Sequence, residues 1–475
     1  MDARLPLSAE VLEHTPAEVV RLLVQLLDRI ERLEAKNRDL TARLGLNSSN
    51  SSKPPSTDPP GRKRKPPVPP SGRSRGGQPG HRRHERPLAP PEHVDEVVEC
   101  RPPVCAGCDA PLSGDDPEPL RRQVAEIPPL RPHVTEYRLH TLPCRRCGRG
   151  TTGTLPSGTP AGSFGPRLAA LTGVLSGVYR LGKRPVQQLF QDLFGLAIST
   201  GMICKLQSRT ARLLTPVYDE LCDHVRTQDV HLDETGWREA KHRAWLWVVV
   251  APLVTVFHLA RSRGRDVVRH LLGPAFAGTA TCDRWKAYRH LKRIQWCWAH
   301  LRRDFQAMID RGGPSQPIGE ALLGHSDVLF EWWHRVRDGT LSRATFRTYV
   351  GWLRCAVRDD LERGTACGCA KTAGTCRDVL AHEPRLWTFA RHVGIEPTNN
   401  AAERAVRHAV LWRKCSGGTD STTGSRFVER ILSVVATCRQ QQRHVLDYLT
   451  QCHRSALAGD IIPSLLPSID AATAA

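Results

Sequence analysis

Residues 47 to 91 are dominated by Ser, Pro, Gly and basic side chains. So few apolar groups cannot bury enough surface to offset the entropy of ordering the backbone. This stretch is therefore expected to be a linker, and a chain that carries it cannot fold around one continuous core. The N-terminal segment must stand alone, pair with another chain or dock back on its own, and the C-terminal segment must supply the core. The chain has 475 residues, about three domains' worth, so enough sequence remains for a large one.

The linker is also charged. Between Lys53 and Arg86, ten basic side chains stand against Asp58 and Glu85, a net of +8 that includes the run Arg62-Lys63-Arg64-Lys65. Such an arm binds phosphates without reading sequence, through counterion release; the plainer alternative is a solubilising spacer. The whole chain carries +20, and two further stretches hold most of the rest: Thr281 to Arg303 at +6 and Glu403 to Arg443 at +5. A surplus of this size favours an anionic partner, with nucleic acid ahead of a membrane surface. No apolar run reaches the ~18 residues that span a bilayer, and Met1-Asp2-Ala3-Arg4 lacks the layout of a secretory signal. A cytoplasmic protein, nucleoid-associated when bound to DNA, is expected. Its 16 cysteines then read as thiols or metal ligands, not as a disulfide framework.

Ahead of the linker, Val19, Leu23, Leu26, Ile30, Leu33, Asn37, Leu40 and Leu44 recur at steps of four and three, the heptad seam of a coiled coil. Thr15, Pro16 and Glu18 mark the start and Gly45 the end. With Asn37 at an a position and Arg29 placed to face Glu34 of a second chain, a parallel dimer is expected. Because Leu22 and Leu27 widen the apolar face, packing on its own chain is the alternative.

After the linker come Cys105-Ala-Gly-Cys108 and Cys144-Arg-Arg-Cys147. Two CxxC knuckles offer four thiolates, the tetrahedral set that structural zinc prefers. The alternating residues between Gln123 and His140 suggest strands that fill the gap of a ribbon. Cys100 reads as a bystander, and Cys367, Cys369 and Cys376 with His382 are too irregular in spacing to make a good second site. Trp332, Trp333 and Trp352 read as helix core.

From Ala161 the pattern is helical, with Leu168, Leu171, Val174, Leu175 and Val178 on one face. At residue 230 the period changes. Val230–Asp233, Ala244–Val250 and Val254–Leu259 read as strands, Arg265–Leu272 as a helix, Thr279–Asp283 and Ile294–Cys297 as two more strands, and a helix then carries His300. This is an α/β core with an acidic residue ending its first and fourth strands. Carboxylates gathered in that way repel unless divalent metal lies between them, and oxygen-rich sites suit magnesium or manganese. Glu403, on the first turn of a predicted helix that also carries Arg404, Arg407, Arg413 and Lys414, is the natural third member. Each also has a structural reading: Asn400-x-x-Glu403 is a capping box, Asp233 could begin a turn and Asp283 could cap one. Glu234, Asp266, Asp304 and Glu396 compete with them.

Several motifs in one order carry a resemblance: Leu44-Gly-Leu-Asn-Ser-Ser-Asn-Ser-Ser-Lys-Pro-Pro-Ser56, Gly76-Gly-Gln-Pro-Gly-His81, the CxxC pairs, Asp233-Glu-Thr-Gly-Trp237, Cys297-Trp-Ala-His300, Glu396-Pro-Thr-Asn-Asn-Ala-Ala-Glu403-Arg404 and Arg413-Lys-Cys-Ser-Gly-Gly418. The chain resembles the insertion sequence 66 family of bacterial transposases. That resemblance implies an RNase H-like mixed-sheet core with a mostly helical insertion, and a DDE triad falling on Asp233, Asp283 and Glu403. The common pattern has Asp-Gly-Tyr where this chain has Asp283-Arg284-Trp285, with Tyr288 nearby. Cys297 and His300 match a CxxH spacing seen in several DDE groups, read either as packing or as a His300 contact to DNA.

The implied activity is cleavage and strand transfer at element ends by two-metal phosphoryl transfer, with two Mg2+ or Mn2+ ions per site and Zn2+ on Cys105, Cys108, Cys144 and Cys147. Implied partners are element-end and target DNA, a second copy of the chain and companion proteins of the same element. A nuclease that cuts without joining and a catalytically silent DNA-binding protein are the alternatives. The expected organisation is a coiled-coil helix (1–46), basic linker (47–91), zinc-binding module (92–160), helical connecting region (161–228), first part of the core (229–312), helical insertion (313–394), last part of the core (395–460) and a tail (461–475).

Overall fold

The structure, a computed structural model, describes residues 16–45, 51 and 87–467. The basic run Arg62, Lys63, Arg64 and Lys65 lies outside the described residues. Two compact units divide the chain: Lys65–Glu136 with Gln188–Ala197, and Met1–Arg64 with Tyr137–Gln187 and Ile198–Ala475. None of the helices among the described residues is long and apolar enough to cross a membrane.

Apart from the helical residues Gln188–Phe194, the smaller unit has little regular structure beyond a short turn of 3-10 helix, Pro91–His93. The Gln123 side chain ties it together, accepting from the Ala89 N–H at 2.7 Å and donating to the Ala89 carbonyl at 3.0 Å. The alternating stretch from Gln123 to His140 forms no ladder, contrary to expectation. Val124 and Val134 on one face are 83% and 81% exposed and Ile127 on the other is 78% exposed, so neither face has a surface to bury against, and alternation alone does not make a strand.

The larger unit opens with helix α1 (Ala17–Gly45), on which Val19, Leu22, Leu26, Ile30 and Leu33 stay exposed along one stripe. A small hairpin comes next, β1 (Thr141–Pro143) against β2 (Gly150–Thr152). Beyond it lie helices α2 (Pro166–Gly177), α3 (Lys183–Phe194), which runs on into the other unit, α4 (Thr200–Leu213) and α5 (Thr215–Val225). The sheet is built from β3 (Val230–Glu239), β4 (His242–Ala251), β5 (Val254–Ala260), β6 (Thr279–Cys282) and β7 (Arg293–Trp296), with α6 (Arg265–Leu272) crossing from β5 to β6. Helix α7 (Trp298–Arg311) leads to α8 (Gln316–Arg337), α9 (Arg343–Thr365), α10 (Ala370–Ala381) and the single turn α11 (Thr388–Arg391). The chain returns through α12 (Asn400–Ser416), α13 (Thr422–Gln440) and α14 (Val445–Ala458).

The strands lie in the order β5-β4-β3-β6-β7; β5, β4 and β3 are antiparallel, and β6 and β7 run parallel to β3. The first strand is longer than expected. Asp233 does not end it, because residues 233–239 continue into a hairpin whose Glu239↔His242 closure puts Ala240 and Lys241 at positive φ.

Helix α13 solves the problem of the open edge at β5. Glu429, Ser433 and Thr437, spaced four apart on one helical face, accept from the backbone N–H groups of Leu259, Phe257 and Thr255, spaced two apart on the strand, at 2.6, 2.8 and 3.1 Å. Polar side chains of a helix thus take the place of a sixth strand and hide a surface that would otherwise pair with another chain. The 161–225 helices are more than a connector. Thr210 on α4 bonds His453 on α14 at 3.0 Å, and a Cβ on Gly177 would lie 2.4 Å from Ile431 on α13, so α2 packs at backbone distance. In the insertion Trp333 is buried against Phe346 and Phe389, and Trp332 packs on Tyr349. Trp352 is a correction: it is 67% exposed and stacks on Tyr349 at the surface.

Ser433→Ala and Thr437→Val each leave a buried strand N–H without an acceptor, and each should lower unfolding free energy by about 1–3 kcal/mol in urea titrations. Changes below about 0.5 kcal/mol would mean that α13 covers the edge without bonding it.

Candidate active site

The site begins with strand register. Val230 and His231 pair with Ala280 and Thr281 in parallel, and the same offset carried two residues on sets Asp233 opposite Asp283, just past the end of β6. Paired strands run about 4.8 Å apart, so two carboxylates reach one point. The third arrives on α12. Fully buried Asn399 precedes that helix; its amide donates to the Leu232 carbonyl at 2.6 Å, and its oxygen bonds His231 Nδ1 at 3.2 Å. Asn399 therefore docks the first turn of α12 on β3 beside Asp233, and Glu403 sits in that turn. The expected capping box does not form: the helix starts at Asn400, and the residue at its N-cap, Asn399, makes no side-chain cap bond.

The electrostatics follow from this gathering. Burial pushes the Asp233 carboxyl up to about 8, helped by the neighbouring carboxylates of Glu234, Asp283 and Glu403. Asp283 and Glu403 are also raised, mainly by burial, with Arg263 and Arg284 opposing the rise at Asp283 and Arg404 at Glu403, and Arg303 opposing it at both. Asp283 still makes the local turn that its sequence allows, accepting from the Trp285 N–H at 2.8 Å.

Arginine separates the competing carboxylates from this set. Glu234 is held by Arg263 at 2.6 Å and by the Tyr288 hydroxyl. Asp304 is paired with Arg284 at 2.7 Å, and Asp266 faces solvent next to Arg269. Glu396 lies within the field of Arg343. Asp233 accepts from the Glu234 N–H at 2.9 Å, and no arginine lowers it. Three partly buried acids, two of which raise Asp233, are a donor set that fits hard divalent ions such as magnesium or manganese.

Cys297 ends β7 and precedes α7. Its N–H donates to the Cys282 carbonyl beside Asp283 at 2.9 Å, and its sulfur accepts from the Asn399 N–H at 3.1 Å. Burial pushes its thiol up to about 11. His300, one turn on, brings Nδ1 to 3.5 Å from the Glu403 carboxylate. Burial, aided by Arg303 and Arg284, holds its pKa down at about 3, so the ring is neutral.

The basic residues divide. Arg404, Arg407 and Lys414 are exposed on α12, whereas Arg413 is turned inward, donating to the Thr235 hydroxyl at 3.1 Å and to the Gly236 carbonyl. Beside it, Arg238, Lys241 and Arg243 line a cavity of about 650 Å³ that also includes Arg413. A larger cavity, about 870 Å³, opens at the other end of β3 around Gln228 and Asp229, away from the carboxylates. Arg263 lies between two indoles, 4.8 Å from the Trp245 ring and 4.0 Å from Trp285, and Arg243 lies 4.8 Å from Trp245. Asn399, Arg263 and Arg303 were not singled out from sequence. Asn399 carried a signal in Asn399-Asn400, but their partners lie far away along the chain.

The tight approach at Gly417-Gly418 is internal. Gly418 has φ +127°, and a Cβ there would lie 2.3 Å from the Arg238 carbonyl. These glycines let the α12–α13 loop clamp onto the end of β3, where Thr419 bonds Arg238 and Ala240.

The CxxC knuckles share one turn. In the smaller unit the Cys105 N–H bonds the Ala110 carbonyl and the Asp109 N–H bonds the Cys105 carbonyl; in the larger unit Cys144 and Arg149, and Gly148 and Cys144, repeat the pattern. Backbone N–H groups and the companion thiol hold both Cys105 and Cys144 below the usual thiol range. Among the described residues, Cys367, Cys369, Cys376 and His382 are not gathered as a metal set.

Residues 161–426 match the family described as Transposase IS66 family. The chain belongs to that family. Residues 5–87 match a family of unknown function, DUF6444. Among curated proteins the chain is 26% identical over 405 residues to the uncharacterized protein y4qI of Sinorhizobium fredii (strain NBRC 101917 / NGR234), covering 76% of this chain and 72% of that one. It is 24% identical over 395 residues to y4hP of the same organism, also uncharacterized, covering 73% and 69%. The mixed sheet and helices described above are compatible with that membership.

Asp233→Asn replaces a carboxyl that burial and neighbouring acids make costly to ionise. Without added metal, it should raise the melting temperature by roughly 1–3 °C, corresponding to about 1–2 kcal/mol. It should also remove the stabilisation that magnesium gives the wild type, both read by scanning calorimetry.

Proposed function

We propose that this chain is a DDE-type transposase that cuts DNA at the ends of its element and joins the freed 3′ hydroxyl to target DNA, with Asp233, Asp283 and Glu403 as its catalytic carboxylates. The observation that carries this reading is their convergence on one half-buried point, where Asp233 is surrounded by acids and every competing buried acid is paired with arginine. The strand order, three antiparallel strands and then two parallel to the first, supports an RNase H-like core.

Two magnesium or manganese ions held there would supply Lewis acidity at the attacking and leaving oxygens of an in-line displacement. Asp233, between the other two, is the residue suited to bridge. Asp283 and Glu403 flank it, and Asn399 keeps the turn bearing Glu403 in place. The step forms one O–P bond and breaks another, so no enzyme nucleophile is required. Arg303 lies near Asp283 and Glu403, where it would meet phosphate charge, while Arg404, Arg407 and Lys414 extend a basic row along α12.

The remaining parts serve binding. The arm carrying Arg62, Lys63, Arg64 and Lys65 would add phosphate contacts without sequence preference. The knuckles Cys105/Cys108 and Cys144/Cys147, each closed by the same turn, would each offer a pair of thiolates to structural zinc. The exposed apolar stripe of α1 would pair with a second copy, giving one protomer per element end.

In an assay with labelled element ends, target plasmid and magnesium, Asp233→Asn should abolish cleavage and joining while DNA affinity stays within about twofold. Joining at the wild-type rate would reject the assignment, and cleavage without joining by the wild type would favour the nuclease. Arg407→Gln with Lys414→Gln should reduce the slope of log affinity against log salt by about 2. Cys105→Ser should release zinc and loosen the knuckle; a wild type purified without zinc would count against the ribbon.

A further inference from the structure

One ligand atom from each of Cys297, His300 and Glu403 lies within 4.8 Å of the other two. Bonds of about 2.0–2.3 Å at tetrahedral zinc separate neighbouring ligand atoms by roughly 3.3–3.8 Å, so a contraction of about 1 Å would close the set. Two of these groups also lack partners in the protein. His300 Nδ1 and Glu403 Oε1 are buried without a hydrogen bond, although they face each other at 3.5 Å. Buried polar atoms rarely stay unpaired, and an absent ion is one of the few explanations for two orphans side by side.

We infer that Cys297, His300 and Glu403 form a second divalent-cation site, selective for zinc-class ions, that shares the Glu403 carboxylate with the magnesium site. The donors set the preference. A thiolate and an imidazole select borderline-soft ions such as Zn2+ over magnesium, which takes oxygen ligands. Cys297 at the N-cap and His300 on the first turn of α7 present both donors from one rigid element, and Glu403 meets them from the first turn of α12. Three protein ligands leave the fourth position open to water or a phosphate oxygen. A carboxylate has two oxygens, so Glu403 can face this ion with one and the Asp233–Asp283 pair with the other.

The test is zinc content by mass spectrometry of the purified full chain, for the wild type, Cys297→Ser, His300→Asn and Asp283→Asn. All four retain the CxxC knuckles, so any knuckle zinc is common to them. Wild type and Asp283→Asn should hold one zinc equivalent more than Cys297→Ser and His300→Asn. Because Cys297 is fully buried, His300→Asn with a wild-type circular dichroism spectrum guards against a folding failure. Equal zinc in the wild type and in folded His300→Asn overturns the site. The magnesium reading fails separately, through unchanged joining by Asp233→Asn.

Discussion

Like charges held together below the surface repel, and the fold gathers acids around Asp233 in spite of that repulsion. The register between β3 and β6 brings up Asp283, and Asn399 anchors the turn that delivers Glu403. None of this lowers the energy of the metal-free protein, as the upward shift of all three carboxyls records. The cost is borne by the hydrophobic sheet beneath, where Leu232, Leu246, Trp247 and Val248 are fully buried. A site that is unfavourable alone and favourable with cations is set up to bind them tightly.

The arginines give this arrangement its selectivity. Glu234 adjoins Asp233 in sequence and is buried, yet Arg263 neutralises it, and Arg263 is itself confined between Trp245 and Trp285. The departure from Asp-Gly-Tyr at Asp283-Arg284-Trp285 acquires a meaning here. Trp285 supplies one wall of the Arg263 slot, and Arg284 pairs with Asp304 and Asp378. Both residues thus help pair off negative charge around Asp283.

Much of this was legible in the sequence. The change of period at residue 230 located every strand of the sheet, because buried strands must be apolar wherever they lie. The carboxylates were visible as residues but not as a set, since spacing left Glu234, Asp266, Asp304 and Glu396 in competition. Sorting them takes the partners Arg263, Arg284 and Arg343, which depend on tertiary contacts. Alternation between Gln123 and His140 misled, because a period of two needs a surface to bury against and that stretch has none. Trp352 misled in the opposite sense: helical spacing places a residue on a face but does not say whether another helix covers it.

The long β3–β4 hairpin, unforeseen from the apolar pattern, explains how a basic surface and an acidic pocket can stay in fixed relation. Its outer half carries Arg238, Lys241 and Arg243, and its inner half carries Asp233, so one strand joins the two. The α12–α13 loop then closes on the hairpin through Thr419, and Gly418 permits the contact because any Cβ would strike the Arg238 carbonyl. Arg413 adds a second tie from α12 to Gly236. Glu403 and Arg413 belong to one helix and Asp233 and Arg238 to one strand, bonded to each other at both ends. The basic residues at the outer end are therefore held at a set distance from the carboxylates by hydrogen-bonded secondary structure, which fixes spacing more closely than a loop can.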